Sequence, residues 1–392
     1  MSAVSTAIDL PAATDGALAL INHESILDRC WQTIDRNPER LGIAAQLIDE
    51  EYRRSHFLGD AGALDRLLAL SETLRRQCAA SGEAFVLAAQ IASLVHEFEQ
   101  AKRYLVQAKE LGADTQSLLR QQLSLDHATG HHWPSVLQTR LSLNEQNPSL
   151  QNRVALGALY AEMGLYHEAE NAYLSAMMQD REHSPFSLAW VCFQLGVLFG
   201  ETMTQADPVA AQHWYARALA YLPAYTHARV HLAELHLDRG QFDAALTLLQ
   251  PIKDSADPEV SWRLAQLYLQ TGQANEARCH LARTQQIFEH LLAHHVLAFA
   301  DHAVGFYLEE GDDPGKALQL ALLNLDNRAT LKAFVLSYEA AKANEQHLMA
   351  RTLADRAAAQ WGHLPAFEHS AVNASLSADP SSVPNATLQP AP

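Results

Sequence analysis

From about residue 23 to residue 366, apolar and polar positions alternate with a helical period, and the helical stretches come in pairs. A block with apolar residues three and four apart is followed by a short break and then by a second such block. The clearest pair runs Leu156-Gly157, Tyr160, Gly164, Tyr166, Ala169, Tyr173 and Ala176. Small residues at fixed places let two antiparallel helices cross closely, and the large ones fill the gaps between neighbouring pairs. Gly164 allows the left-handed backbone that a tight helix–helix turn needs. Ala and Leu dominate and β-branched runs are few, which favours helix over sheet.

The frame recurs downstream. Leu195-Gly196, Phe199, Ala211, Tyr215, Ala218 and Pro223 fit it once an insertion around Asp207-Pro208 is allowed. Leu232-Ala233, Gly240, Phe242, Ala245 and Leu249 follow, then Leu264-Ala265, Tyr268, Gly272, Ala277 and Leu281. Looser copies contain Tyr307, Gly311, Ala317 and Ala321, and last Ala350, Ala354 and Ala357. Upstream, Ala89, Phe98, Ala101, Leu105 and Ala108 mark one pair, and Gly130 to Pro148 the next. The period of about 34 residues, with Leu-Gly, an aromatic, a turn glycine and then Ala-aromatic-Ala, resembles the tetratricopeptide repeat in its bacterial-type form. That resemblance implies an all-α, right-handed α-solenoid of about nine stacked helical hairpins. The expected organisation is a flexible leader over 1–22, an N-terminal capping helix over 23–45 broken at Asp35-Arg36-Asn37-Pro38, and the solenoid over 46–366. A disordered tail is expected over 367–392, where Ser, Ala, Asn and Pro replace large apolar residues.

Charge narrows the partners. With 28 Lys+Arg against 45 Asp+Glu, the formal net charge is −17, and a surface this acidic repels phosphate backbones. Arg53-Arg54 and Arg75-Arg76 are isolated pairs rather than a basic stripe, so no nucleic-acid partner is expected. Cys30, Cys78, Cys192 and Cys279 are scattered and form no CxxC pair, which gives no metal or disulfide framework. The stretch Ala17–Ile21 is too short for a signal core, and no window of 18 apolar residues occurs, so no membrane insertion is expected. A cytoplasmic protein follows from this reading.

Catalytic signatures are absent: no Gly-rich phosphate loop, no G-x-S-x-G, no HExxH. The expectation is a non-enzyme without cofactor or catalytic residue. Histidine is the anomaly, at 20 copies. His290 and His294 stand one helical turn apart, a spacing that can chelate a metal, with His295 and His302 close by and Glu289 or Asp301 as conceivable third ligands. The alternative for this cluster is a structural or surface role, or a pH-sensing one.

The resemblance also places a groove. The first helix of each hairpin would line a concave face, bringing Arg53, Arg120, His127, Val154, Trp190, Phe193, His227, Val230, Trp262 and Gln266 into it. The groove would be polar near the N-terminus and apolar from Val154 to Leu269, an arrangement suited to another protein's helix or an extended peptide. The alternative is that Trp190, Phe193 and Trp262 are core, with the frame one residue off. The Lys/Asn carboxylate clamp of chaperone-binding relatives is missing: its places hold Asp49/Arg53, Val86/Gln90, Arg120/Ser124 and Val154/Ala158. The asparagine ladder of glycosyltransferase-linked relatives is missing too: its places hold Glu50, Leu87, Gln121, Ala155, Gln194, His231 and Arg263. A non-enzymatic scaffold or adaptor is the function this points to. Alternatives are a receptor whose superhelix responds to a peptide or small signal, and a metal-dependent accessory protein using the His290 cluster.

Overall fold

A computed structural model describes residues 11–179 and 183–378, and every regular element among them is helical. Helix α1 (Gly16–Arg36) is capped by the Asp15 carboxylate, which accepts from the Ala17 and Leu18 amides. Nine hairpins follow: α2 (Leu41–Leu58) with α3 (Gly62–Gln77), α4 (Gly82–Leu94) with α5 (Phe98–Glu110), and α6 (Thr115–Thr129) with α7 (Trp133–Gln146). Next are α8 (Leu150–Met163) with α9 (Tyr166–Met178), α10 (Pro185–Val197) with α11 (Pro208–Tyr221), and α12 (Thr226–Leu237) with α13 (Phe242–Leu249). Helix α14 (Pro258–Gln270) pairs with the start of α15 (Ala274–Leu308). His295 leaves helical geometry (φ −138°, ψ 46°), so α15 is two helices joined at a kink. Its second part pairs with α16 (Pro314–Asn327), and α17 (Leu331–Ala343) with α18 (His347–Trp361) closes the series.

Within a hairpin, a glycine on the first helix faces a tyrosine on the second. A Cβ on Gly157 would lie 2.7 Å from the Tyr173 ring, and one on Gly196 only 2.3 Å from the Tyr215 ring. Both tyrosines are fully buried. The inner helices are covered on both sides, so α4 and α10 are apolar nearly all round, with nine of their thirteen residues buried.

The superhelix then closes on itself. Tyr225 Oη donates to His56 Nε2 at 2.8 Å, His295 Nε2 and Asp65 Oδ1 lie 2.9 Å apart, and Asn327 Nδ2 donates to the His96 carbonyl at 3.0 Å. These pairs are 169 to 231 residues apart in sequence, so one superhelical turn separates them. The seam continues through Trp133 against Trp361 (ring centroids 4.7 Å) and Gly164 against Ala366.

Both chain ends differ from the expected organisation. Helix α1 begins at Gly16, inside the segment expected to be a leader, and runs to Arg36, while α2 starts at Leu41, inside the 23–45 span where one capping helix was placed. Gly16 is buried against the Tyr221 carbonyl, and Tyr221 Oη donates to the Pro11 carbonyl, so the seam itself orders this end. Residues 1–10 lie outside the described ones. At the other end, α19 (Pro365–Glu368) and α20 (Ala371–Ala378) cover the last hairpin and bury Phe367 and Val372, so a tail disordered from 367 is not what is found. Two apolar residues suffice because α17 and α18 supply the rest of that core. Residues 379–392 lie outside the described ones. Helix α15 is long and apolar enough by length and composition to cross a membrane, but it is kinked at His295 and contributes to two hairpins.

Turn glycines separate seam from open turn. Gly164 (φ +84°) has Ala366 N at 2.3 Å from its would-be Cβ, whereas Gly240 (φ +68°) has open space. Gly240→Ala should cost only the left-handed backbone penalty, about 1–2 kcal/mol. Gly164→Ala should cost clearly more and raise amide exchange of residues 365–376 selectively. Hydrogen exchange with mass spectrometry on both variants checks this; equal effects would refute the seam contact.

Candidate functional site: a charged lumen

Each inner helix turns one edge toward the space that the closing superhelix encloses. On α12 that edge carries His227, His231 and Glu234, at spacings of four and three residues. On α14 it carries Glu259, Arg263 and Gln266 at the same spacings. A π-helical segment, Leu198–Thr202, ends α10 and presents Glu201; such bulges re-aim side chains. His127 on α6, Glu162 on α8, Asp301 and His302 on α15, and Lys332 on α17 complete the lining. These groups act on one another electrostatically across the interior, since Lys332 lowers the carboxyls of Glu162, Glu201 and Asp301 from three different hairpins.

The polar contacts form a chain around the lumen. His231 Nδ1 lies 2.7 Å from Glu201 Oε1, which also accepts from Tyr215 Oη at 2.9 Å. Arg263 pairs with Glu234 at 3.0 Å and stacks over the Trp262 ring at 4.5 Å. Glu310 accepts from Trp262 Nε1 (2.5 Å) and Gln266 Nε2 (3.0 Å). His302 Nδ1 is 3.3 Å from Glu259, and Arg328 pairs with Asp301. A cavity of about 270 Å³ opens between α12, α14 and the turn after α15, walled by Glu234, Arg263, Gln266, Glu309 and Glu310, with Leu269 exposed at its rim.

The network sets its own protonation. The Asp301 charge, against the cost of burial and with help from Glu259, raises His302 to about 9, so it is a cation at neutral pH. Burial lowers the charged form of His231, but Glu201 outweighs it and moves that imidazole up. Glu259 is partly desolvated, yet His302, His231 and Arg263 together hold its carboxyl below the usual range. Glu234 and Glu309 go the other way: burial raises both, and Glu310 adds to the rise at Glu309.

The residues expected in the groove divide into two sets. His127, His227 and Gln266 face the lumen, and Glu234 and Glu259 stand beside them. Arg53 is partly exposed, pairs with Glu50 at 2.8 Å and lies over Phe186; Arg120 is exposed. Val154, Phe193, Val230 and Trp262 are buried in the hairpin cores, and Trp190 packs partly buried against one. The apolar groove wall is thereby corrected. An inner helix has a neighbouring hairpin on each side, so its bulkiest apolar residues point sideways into those contacts and its polar edge is left inward. Glu201 and Lys332 were missed, and His231, Arg263 and His302 were named for other roles; for His231 and Arg263 the signal was a polar residue four places earlier, His227 and Glu259, on the same helix.

The histidine cluster also comes apart. His290 and His294 are exposed with rings 4.5 Å apart, but His294 Nδ1 bonds the His290 carbonyl, His295 turns to Asp65 and His302 to Glu259. Among the described residues no group of three or more His, Cys, Asp or Glu is placed to hold a metal.

The sequence model of the tetratricopeptide repeat matches residues 203–257, the end of the fifth hairpin and the sixth. No curated protein matches. Among solved structures, the complex of Cut9 with Hcn1 from the APC/C is 14% identical with a TM-score of 0.41, covering 90% of this chain and 72% of that one. A tetratricopeptide repeat protein from Parabacteroides merdae is 12% identical (TM-score 0.36; 68% and 93% covered). Yeast Tom70 is 10% identical (TM-score 0.33; 88% and 83% covered). Likenesses of this size carry no argument about partner or activity.

His302 gives a test of the lumen network. Because its folded-state value lies above 6.5, its contribution is complete below pH 6.5 and is lost as pH rises through about 9. The ring is half exposed, so screening leaves about 1 kcal/mol. His302→Gln should lower the thermal midpoint at pH 7, and the difference from wild type should vanish by pH 10. A pH-independent difference would contradict the assignment.

Proposed function

Taking as premise that the chain is a tetratricopeptide-repeat protein, we propose that it is a non-enzymatic scaffold that holds a segment of another protein in its lumen. The observation that supports this most is the lining itself. Glu162, Glu201 and His302 are each about half exposed, although groups from the third to the ninth hairpin act on them from around the lumen. Ionised side chains kept inside a ring without dense packing leave a polar surface for an incoming chain to pair with. Acidic groups outnumber basic ones along it, so a segment bearing Lys or Arg suits it. The cavity beside Glu309 and Glu310, with Leu269 at its rim, fits the aliphatic stem and charged head of such a side chain.

The reading as a non-enzyme rests on roles already taken. His231 and His302 are each engaged by a carboxylate, Glu201 and Glu259, and among the described residues no Ser, Cys or Thr hydroxyl or thiol is hydrogen-bonded to either ring. We propose a cytoplasmic location, with which four free cysteines are consistent.

Charge-matched variants test the site. Glu162→Gln/Glu201→Gln neutralises two lumen groups, whereas Glu72→Gln/Glu99→Gln neutralises two strongly exposed ones away from the lumen. With both immobilised at equal density, quantitative affinity mass spectrometry should show partner recovery reduced about tenfold for the lumen variant alone, as loss of one or more charge-assisted contacts implies. Equal recovery from both would remove the lumen as the binding surface.

A further inference from the structure

The seam between superhelical turns is studded with histidine along its first stretch. His23 lies against Phe186, its ring centroid 5.6 Å away. His56 reaches from α2 into the junction of α10 and α12, packed by Tyr52, Phe57, Phe193, Tyr225 and His227. His96 bonds through Nδ1 to the Leu297 carbonyl at 3.1 Å, and its own carbonyl accepts from Asn327. The backbone at His96 is left-handed (φ +58°), in the turn position that Gly59, Gly130 and Gly164 occupy in other hairpins. Asp312 and Glu345 adopt the same backbone at other turns, so it is the ring's bond to the Leu297 carbonyl that gives the His96 side chain a role across the seam. The later stretch, Trp133 on Trp361 and Gly164 on Ala366, is mainly apolar; its histidine, His127, meets Trp133 edge-on at 5.9 Å from within the same hairpin and does not bridge the seam contact.

We propose that the histidine-bearing stretch of the seam is a proton-operated clasp: closed over the lumen near neutral pH and released on mild acidification, with the Trp133–Trp361 stretch remaining as the hinge.

Both rings sit in surroundings that disfavour a charge while the clasp is shut. His56 Nε2 lies 2.8 Å from the Tyr225 hydroxyl, with which a neutral ring pairs as acceptor, and His227 stands 5.4 Å away by ring centroid. The groups facing it are Tyr52 on its own helix, Tyr225 at the N-cap of α12 and His227 in its first turn, with the buried Asp257 beyond, 3.3 Å from His227. His96 donates to a carbonyl and faces Arg328, Asp301 and His302. Burial, joined by His227, pulls His56 down to about 3; burial, joined by Arg328, pulls His96 down to about 4 against the opposing pull of Asp301.

Once released, both rings titrate at their ordinary 6.5. Depressed values mean that the closing contribution is complete above pH 6.5 and is lost as pH falls toward 4. At pH 5 the released form gains about 30-fold from each histidine, about a thousandfold together. His295 also crosses the seam, 2.9 Å from Asp65, whose carboxylate is two-thirds exposed, so screening keeps that contact weak. His231 and His302 are raised and lie within one turn, so acid leaves the lumen pairs made.

Small-angle scattering of the full chain from pH 7.5 to pH 5, with far-UV circular dichroism in parallel, tests the clasp. The radius of gyration should rise between pH 6.5 and 5 while helicity stays constant. His56→Gln/His96→Asn keeps an acceptor for Tyr225, a donor for Leu297 and a residue tolerant of the left-handed backbone, but does not titrate. It should stay closed at pH 5. Should the double variant lose helicity at pH 7.5, either single variant must shift the pH needed for opening downward. A pH-invariant wild-type radius, an expansion accompanied by helix loss, or variants that open at the wild-type pH would each overturn the proposal.

Discussion

A helical hairpin of this kind has apolar residues on more faces than its own two helices can cover, and the architecture follows from that deficit. The inner helices α4 and α10 show it most plainly, with buried Phe85 and Val86, or Phe186 and Leu188, pointing to different sides of one helix. Each must have a neighbouring hairpin on both flanks, so the hairpins stack, and the stack curves because the inner helices pack more tightly than the outer ones. When the curve meets itself after one turn, the remaining exposed apolar ends are covered by the chain's own next layer. Trp133 and Trp361 meet in this way, as do Phe57, Phe186 and Tyr225.

Closure also determines where polarity goes. With flanks, outer helices and seam all occupied, the enclosed edge of each inner helix is where ionisable groups can remain hydrated. Carboxylates and imidazoles there are close enough to shift one another strongly, yet open enough that several stay half exposed. His302 becomes a cation in that setting and His231 is shifted the same way, whereas His56 and His96 are shifted toward the neutral form, although all four belong to the same wall or its rim. The difference is a carboxylate partner against an aromatic or carbonyl one.

The hairpins were legible in the sequence because their marker residues are sterically demanding. Gly157 and Gly196 leave room for Tyr173 and Tyr215, and no larger residue fits. The lumen was less legible. The repeat frame drew His127, His227 and Gln266 into one groove together with Phe193, Val230 and Trp262, and the last three are buried in the hairpin cores. On an inner helix flanked on both sides, those are the residues most in demand by the neighbours. The seam was not legible at all: its contacts join residues 169 to 231 apart, and no periodicity within a hairpin reports them. A faint trace existed in His96 standing at a turn where other hairpins place glycine, and in His295 at the kink that lets α15 serve two hairpins.

Closure of the superhelix is what makes the interior a lumen rather than an open face, and a distance across the seam reports it most directly. In a chain whose native cysteines have been replaced, spin labels at Glu72 on α3 and His294 on α15 would be read by double electron–electron resonance at pH 7.5. A single narrow population at short distance is predicted. A broad distribution extending to long distances would mean an open solenoid, and the enclosed charged wall would not exist as described.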